Sequence, residues 1–412
     1  MLENPVLIQV AVILCTARLV GFVLRRFGQP SVVSEMFAGL MLGPGIFGAI
    51  APELHSQLFA TSSLAGLQGL VQLGVVLFMF IVGLELRLPV GAKPMLIAAS
   101  SIGVLSVLFP LGLGLAIAPV LYERFAPANV AFWPFSAFIS VAFSITAFPV
   151  LARILKDRSI AHTSLGQLAL SSAAIADLLA WVLVGMVVIF ASANADWNRA
   201  TQLVTGLAVM ILVLFGIVRP LIARLLPASG QPGNVLFTFI LIGVFVAGYV
   251  AKSIHIDEVF GAFLFGLCLP RDDRLLHWFS ERIEPVAVVV LLPVFFALSG
   301  LKTTASAFTG QTVGIFAMIL LTAVIGKMTG AFLGARLAGC PTRLALSVGA
   351  LMNARGLMEL IVLKVGLDAG LIGPELFTMF LVMAIVTTVM AGPLLTLFGR
   401  QSTSVVLAVA EN

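Results

Sequence analysis

Asp177 stands alone in the apolar stretch from Leu168 to Gly185. A carboxylate at membrane depth costs several kcal/mol when unpaired, so chains keep one mainly where an ion, a proton or a counter-charge uses it. Lys327 is a second charge inside an apolar run, Ile325 to Gly330. It is a candidate counter-charge to Asp177, with a purely structural salt bridge as the alternative. Arg355 and Glu359 are spaced i,i+4 and can pair along their own helix, so a structural ion pair is the favoured reading. Ser144 and Thr146 place hydroxyls beside Pro149, which removes a backbone donor and frees carbonyls. Thr146 and those carbonyls are oxygens of the kind that bind Na⁺, K⁺ or Li⁺. Ser172 is a weaker ligand candidate, because five residues along a helix is not the same face.

The remaining polar residues favour other chemistries less. Glu35, Glu85 and Glu258 lie near span ends and read as caps or interface charges. Asp272 and Asp273 form the one acidic pair that would suit magnesium and diphosphate in an intramembrane lipid or prenyl transferase. Flanking Arg271 and Arg274 suit a loop salt bridge better. The three cysteines, Cys15, Cys268 and Cys340, lack metal spacing and read as packing residues. No catalytic residue, cofactor or resident metal is expected.

The elements that carry these residues are apolar throughout. Of 412 residues 60% are apolar and only 10% charged, against roughly 25% charged in soluble proteins. Mean hydropathy is +1.15. This composition fits an all-α polytopic membrane protein in a lipid bilayer. The net charge of +5 comes from basic residues in short loops, with no basic tract for nucleic acid. Thirteen apolar runs fall at about 5–24, 30–50, 64–86, 95–121, 129–153, 164–191, 202–226, 234–252, 256–270, 285–301, 312–335, 343–367 and 374–399. The first continues past Arg18 and has no cleavage site, so it reads as a retained span. Loops on one side hold fifteen of the 23 Lys and Arg residues, from Arg25 and Arg26 through Arg87 to Arg400. The other side holds five: Arg124, Arg199, Lys252, Lys302 and Lys364. The positive-inside rule then predicts an outside N-terminus and a cytoplasmic C-terminus in the cell membrane. The loops leave no room for a soluble domain, and the polar stretch Arg271–Pro285 reads as an amphipathic surface segment. One membrane domain over 1–412 is expected, with no cytoplasmic regulatory domain.

Two segment pairs repeat in order. Ser34 to Pro44 in span 2 is similar to Asp257 to Pro270 in span 9, and Phe78 to Leu86 in span 3 to Phe295 to Lys302 in span 10. Each pair is seven spans apart, and an odd offset inverts the second copy. Two inverted six-helix repeats are therefore expected, about 5–191 and 234–399, joined by a linker helix at about 202–226. Inverted repeats are common in secondary transporters, whose sites lie near the midplane on interrupted helices. Span 5 is interrupted at Pro149, and span 12 by Asn353, Arg355 and Gly356. Both are the fifth span of their repeat.

These residues resemble a family. Phe80 to Glu85, Thr146 to Leu155, Ala176 to Trp181, Lys327 to Arg336 and Asn353 to Val362 are similar to the membrane domain of monovalent cation/proton antiporters. The branch is that of the bacterial glutathione-gated potassium efflux systems and the plant cation/proton exchangers. The resemblance implies a homodimer with a core and a dimer domain, and crossing discontinuous helices 5 and 12. It implies that Asp177 binds cation or proton in turn, that Lys327 is the basic residue of span 11, and that Thr146 is the hydroxyl of the span 5 break. Ala176 departs from the family, which usually has Asp or Asn there, so stoichiometry and electrogenicity do not carry over. The expected activity is exchange of Na⁺ or K⁺ for protons by alternating access at one carboxylate. A cation channel or a transport-inactive sensor on the same fold is the alternative.

Overall fold

The computed structural model describes residues 5–60, 63–85, 93–161, 163–191, 197–227, 233–254 and 256–399, and their regular structure is helical. Arg87 and Arg400, counted above on the basic-rich side, lie outside the described residues. Eleven described helices are long and apolar enough to cross a membrane, and a bent pair makes a twelfth. The chain is thus a multi-pass membrane protein.

The count of thirteen is not reached, because the ninth run forms a helix of only 11 residues, Glu258–Cys268. Its length of about 17 Å falls short of the ~30 Å hydrocarbon core. The sequence bounds it at both ends. Asp257 caps its start, accepting from the Val259 N–H at 2.9 Å, and Pro270 follows its end. Span 10 differs in the other direction. The polar stretch after Arg271 is the start of one long helix, Asp273–Leu301. Its face of Leu275, Trp278, Phe279 and Ile283 is buried, which is why it packs inward instead of lying on a surface.

Glycines set how closely the helices cross. Span 2 meets span 10 at Gly39 and Gly300, where a Cβ on Gly300 would stand 1.8 Å from the Gly39 carbonyl oxygen. Span 3 meets span 9 at Gly83 and Gly266, where a Cβ on Gly266 would stand 2.1 Å from the Phe80 carbonyl oxygen. Such backbone-to-backbone approach lets helices pack without a hydrophobic driving force from water. Span 4 (Lys93–Phe125) packs along span 11 (Val313–Leu337), again through glycines, with Gly330 against the Leu105 backbone. Spans 5, 6, 12 and 13 gather around that pair. Side chains such as Leu212, Ile217, Phe239 and Tyr249 face outward, as lipid contact requires.

Candidate functional site

Span 5 divides into Phe132–Ser144 and Phe148–Asp157, with Ile145, Thr146 and Ala147 between them. The break therefore precedes Pro149. That proline sits in the first turn of the second half, where a helix has no partner for its N–H and a proline costs nothing. Span 12 divides into Thr342–Met352 and Leu357–Asp368, bent by 46°. Gly356 takes φ 157° and ψ −118°, a conformation open to glycine alone. A Cβ there would also stand 2.8 Å from the Val150 side chain. The two breaks touch, the Ala147 N–H donating to the Ala354 carbonyl at 3.3 Å.

Each half-helix leaves unpaired backbone groups and a partial charge at the break. At the positive end of the second half of span 5, the Phe148 N–H donates to Asp177 Oδ2 at 3.3 Å. Asp177 is 3% exposed, and its Oδ1 is buried without a hydrogen-bond partner. At the negative end of the first half, two cations meet the last carbonyls. Arg355 donates to Ala142 at 3.2 Å and to Phe143 at 2.7 Å. Lys327 donates to the Ser144 carbonyl, to Thr146 Oγ1 at 2.6 Å and to the Ser106 carbonyl at 3.0 Å. The direct ion pair of Lys327 with Asp177 is absent. The ammonium faces the carbonyl end of one half-helix and the carboxylate faces the N–H end of the other, as the helix dipoles favour.

The Arg355–Glu359 pair is present at 3.4 Å, with both side chains fully buried. Thr388 of span 13, missed in the sequence, fixes the Arg355 backbone from both sides. It accepts from the Arg355 N–H at 2.9 Å and donates to its carbonyl at 2.6 Å. The Ser172 hydroxyl donates to the Leu168 carbonyl in its own helix at 2.7 Å. Asn353 stays at the break, with Nδ2 3.5 Å from the Thr387 carbonyl and Oδ1 buried and unpaired. Ala176 is fully buried.

The two sides of this centre differ. On the basic-rich side, ion pairs tie the second half of span 5 to its neighbours. Arg153 reaches Glu35 of span 2 at 3.1 Å, and Lys156 reaches Glu85 of span 3 at 2.6 Å and Glu284 at 3.9 Å. On the other side a cavity of about 550 Å³ opens among Lys252, Asp257, Lys302 and Lys364, and its inner wall includes Trp181 and Gly185. Lys302 and Asp368 pair across it at 2.9 Å, and Lys252 pairs with Glu258 at 3.0 Å.

The acidic pair Asp272 and Asp273 is engaged locally at its first residue. Asp272 caps the next helix and accepts from the Arg274 backbone at 2.8 Å and side chain at 2.6 Å. Those bonds hold its carboxyl below the usual range. Among the described residues no group of three His, Cys, Asp or Glu could hold a metal ion.

Comparison with known proteins shows the family. Residues 11–401 match the family described as sodium/hydrogen exchanger, transmembrane. The Na⁺/H⁺ antiporter NhaS4 of Synechocystis is 37% identical over 394 residues, covering 94% of this chain and 96% of that protein. Cation/H⁺ antiporter 17 of Arabidopsis thaliana is 35% identical and K⁺/H⁺ antiporter 1 of Saccharomyces cerevisiae 33%. Those matches cover 95% and 94% of this chain but 49% and 46% of the relatives, so the chain spans about half their length. In fold, the chain is similar to the sodium proton antiporter MjNhaP1 of Methanocaldococcus jannaschii at pH 8. The TM-score is 0.68 at 16% identity, covering 95% of this chain and 97% of that one. With the broken spans, the buried carboxylate and a match over nearly its whole length, the chain belongs to the sodium/hydrogen exchanger family.

Proposed function

We propose that the chain exchanges a monovalent cation, Na⁺ or K⁺, for protons by alternating access at Asp177. One observation carries this reading: a buried carboxylate at a helix break with one oxygen left unpaired. Charged, that oxygen binds a cation alongside oxygens of the span 5 break. Protonated, it releases the cation. Two ligands competing for one carboxylate, combined with alternating access, give exchange without ATP. Lys327 already occupies Thr146 Oγ1 and the Ser144 carbonyl. A cation that uses those oxygens therefore displaces the ammonium, and the lysine returns when the site empties.

The ion pairs on one side and the cavity on the other support reading this state as closed to the basic-rich side and open opposite. By charge distribution the closed side is the cytoplasmic one. The paired glycine crossings of span 2 on span 10 and span 3 on span 9 support the inverted repeats, with span 7 as linker. A homodimer in the cell membrane fits the family resemblance.

Proton movement in proteoliposomes, followed with a pH dye against Na⁺, K⁺ and Li⁺ gradients, tests the proposal. Asp177→Asn is expected to abolish cation-dependent proton movement. Retained exchange in a folded Asp177→Asn protein overturns the assignment, and proton flow without a counter-cation would make the protein a channel.

A further inference from the structure

Trp181 lies one helical turn from Asp177, on the same face of span 6 and towards the cavity. The offset is about 6 Å along the axis. In a helix the side chain of a residue leans back over the preceding turn, so this indole leans towards the carboxylate. Trp181 lines the inner wall of the cavity, whereas Asp177 is not part of that wall and is only 3% exposed. The ring is therefore the last side chain of span 6 between the cavity and the carboxylate.

The ring is buried, but no hydrogen bond pins it. A buried tryptophan usually finds a partner for its N–H. Here Nε1 is buried and has none, and Oδ1 of Asp177 one turn away has none either. The ring's aromatic neighbour is Phe260 of span 9, centroid to centroid at 5.6 Å. With no hydrogen bond to break, only apolar contacts oppose a turn of the indole.

We propose that Trp181 is the seal of this exchange site. Its ring closes the cavity floor over Asp177 and must turn aside for a cation to pass. The inference rests on Asp177 as the exchange site, but accessibility of position 177 tests it without reference to transport. Cys15, Cys268 and Cys340 are first replaced by serine, and Asp177→Cys is introduced as the probe. A small membrane-impermeant thiol reagent is then applied from the cavity side.

With Trp181 in place, labelling is expected to be slow. Trp181→Ala is expected to speed it about tenfold or more, because thiol reactions depend on access. Trp181→Phe, which keeps a ring, is expected to change it little. Phe295→Ala widens the cavity wall without removing its floor and is expected to leave labelling slow. Trp181→Val serves if the alanine variant does not fold. Unchanged labelling in a folded Trp181→Ala or Trp181→Val protein overturns the seal. So does equally fast labelling in Phe295→Ala, which would place the barrier elsewhere. Loss of transport in Asp177→Asn with unchanged labelling on Trp181→Ala would leave the exchange site standing and remove only the seal.

Discussion

The two broken spans solve the same problem with different residues. The break in span 12 carries its own ion pair, Arg355 with Glu359, and its backbone is bonded twice by Thr388 of span 13 and once by the Ala147 N–H of span 5. The break in span 5 is met by charges from three other spans: Asp177 of span 6, Lys327 of span 11 and Arg355 of span 12. A break closed by its own residues is a fixed joint. A break whose ends face ionisable groups from elsewhere can exchange partners. The difference supports placing the proposed exchange at the span 5 break, with the span 12 break as its anchor.

Substitution can separate these roles. The largest expected effect is on transport alone. Asp177→Asn should lower cation-dependent proton flux by about 100-fold or more, since the one carboxylate that both ions would share is lost, while the melting temperature stays near that of the parent. A large fall in melting temperature would make Asp177 an anchor as well. Arg355→Met should do the reverse, destabilising the fold by about 3–5 kcal/mol by leaving Glu359 buried and unpaired. Denaturation in detergent measures this, and a parent-like stability would break the distinction. Gly356→Ala should cost about 1–3 kcal/mol through backbone strain, with further loss from the Val150 contact. Thr388→Val should cost about 1–3 kcal/mol by leaving the buried Arg355 backbone groups unpaired, again read as a lowered melting temperature. Ser172→Ala should be mild, costing about 0.5–1.5 kcal/mol for one buried hydrogen bond and leaving parental flux, because its hydroxyl bonds its own helix. A loss of flux there would return Ser172 to the site.

Much of this was legible from single residues. Asp177 and the Arg355–Glu359 pair stood out because charge is expensive in an apolar run, and that cost depends on the local sequence alone. The partner of Lys327 was not legible. Sequence offers a carboxylate as the natural counter-charge, but three oxygens of spans 4 and 5 meet the ammonium instead, and only the packing brings them together. The span 5 break lies around Thr146, just before Pro149, because a proline starts a helix as readily as it ends one. Thr388 gave no signal, since a threonine in an apolar helix ordinarily bonds its own backbone. The short ninth helix was foreshadowed by Asp257 and Pro270, which bound it, yet its apolar composition made it look like a full span. Glu35 and Arg153 lie 118 residues apart, and no local pattern joins them.

Those last ion pairs bear on how the two faces are balanced. The Lys156 side chain is 50% exposed and that of Glu85 23%, and exposed pairs contribute about 0–1 kcal/mol each. A pair this exposed therefore adds little to the cost of opening on the basic-rich side. Because it is open to solvent, the pair is also weakened by added salt. Ionic strength on the basic-rich side thus acts on the balance between the two forms, and the ions carried also help set which face is open.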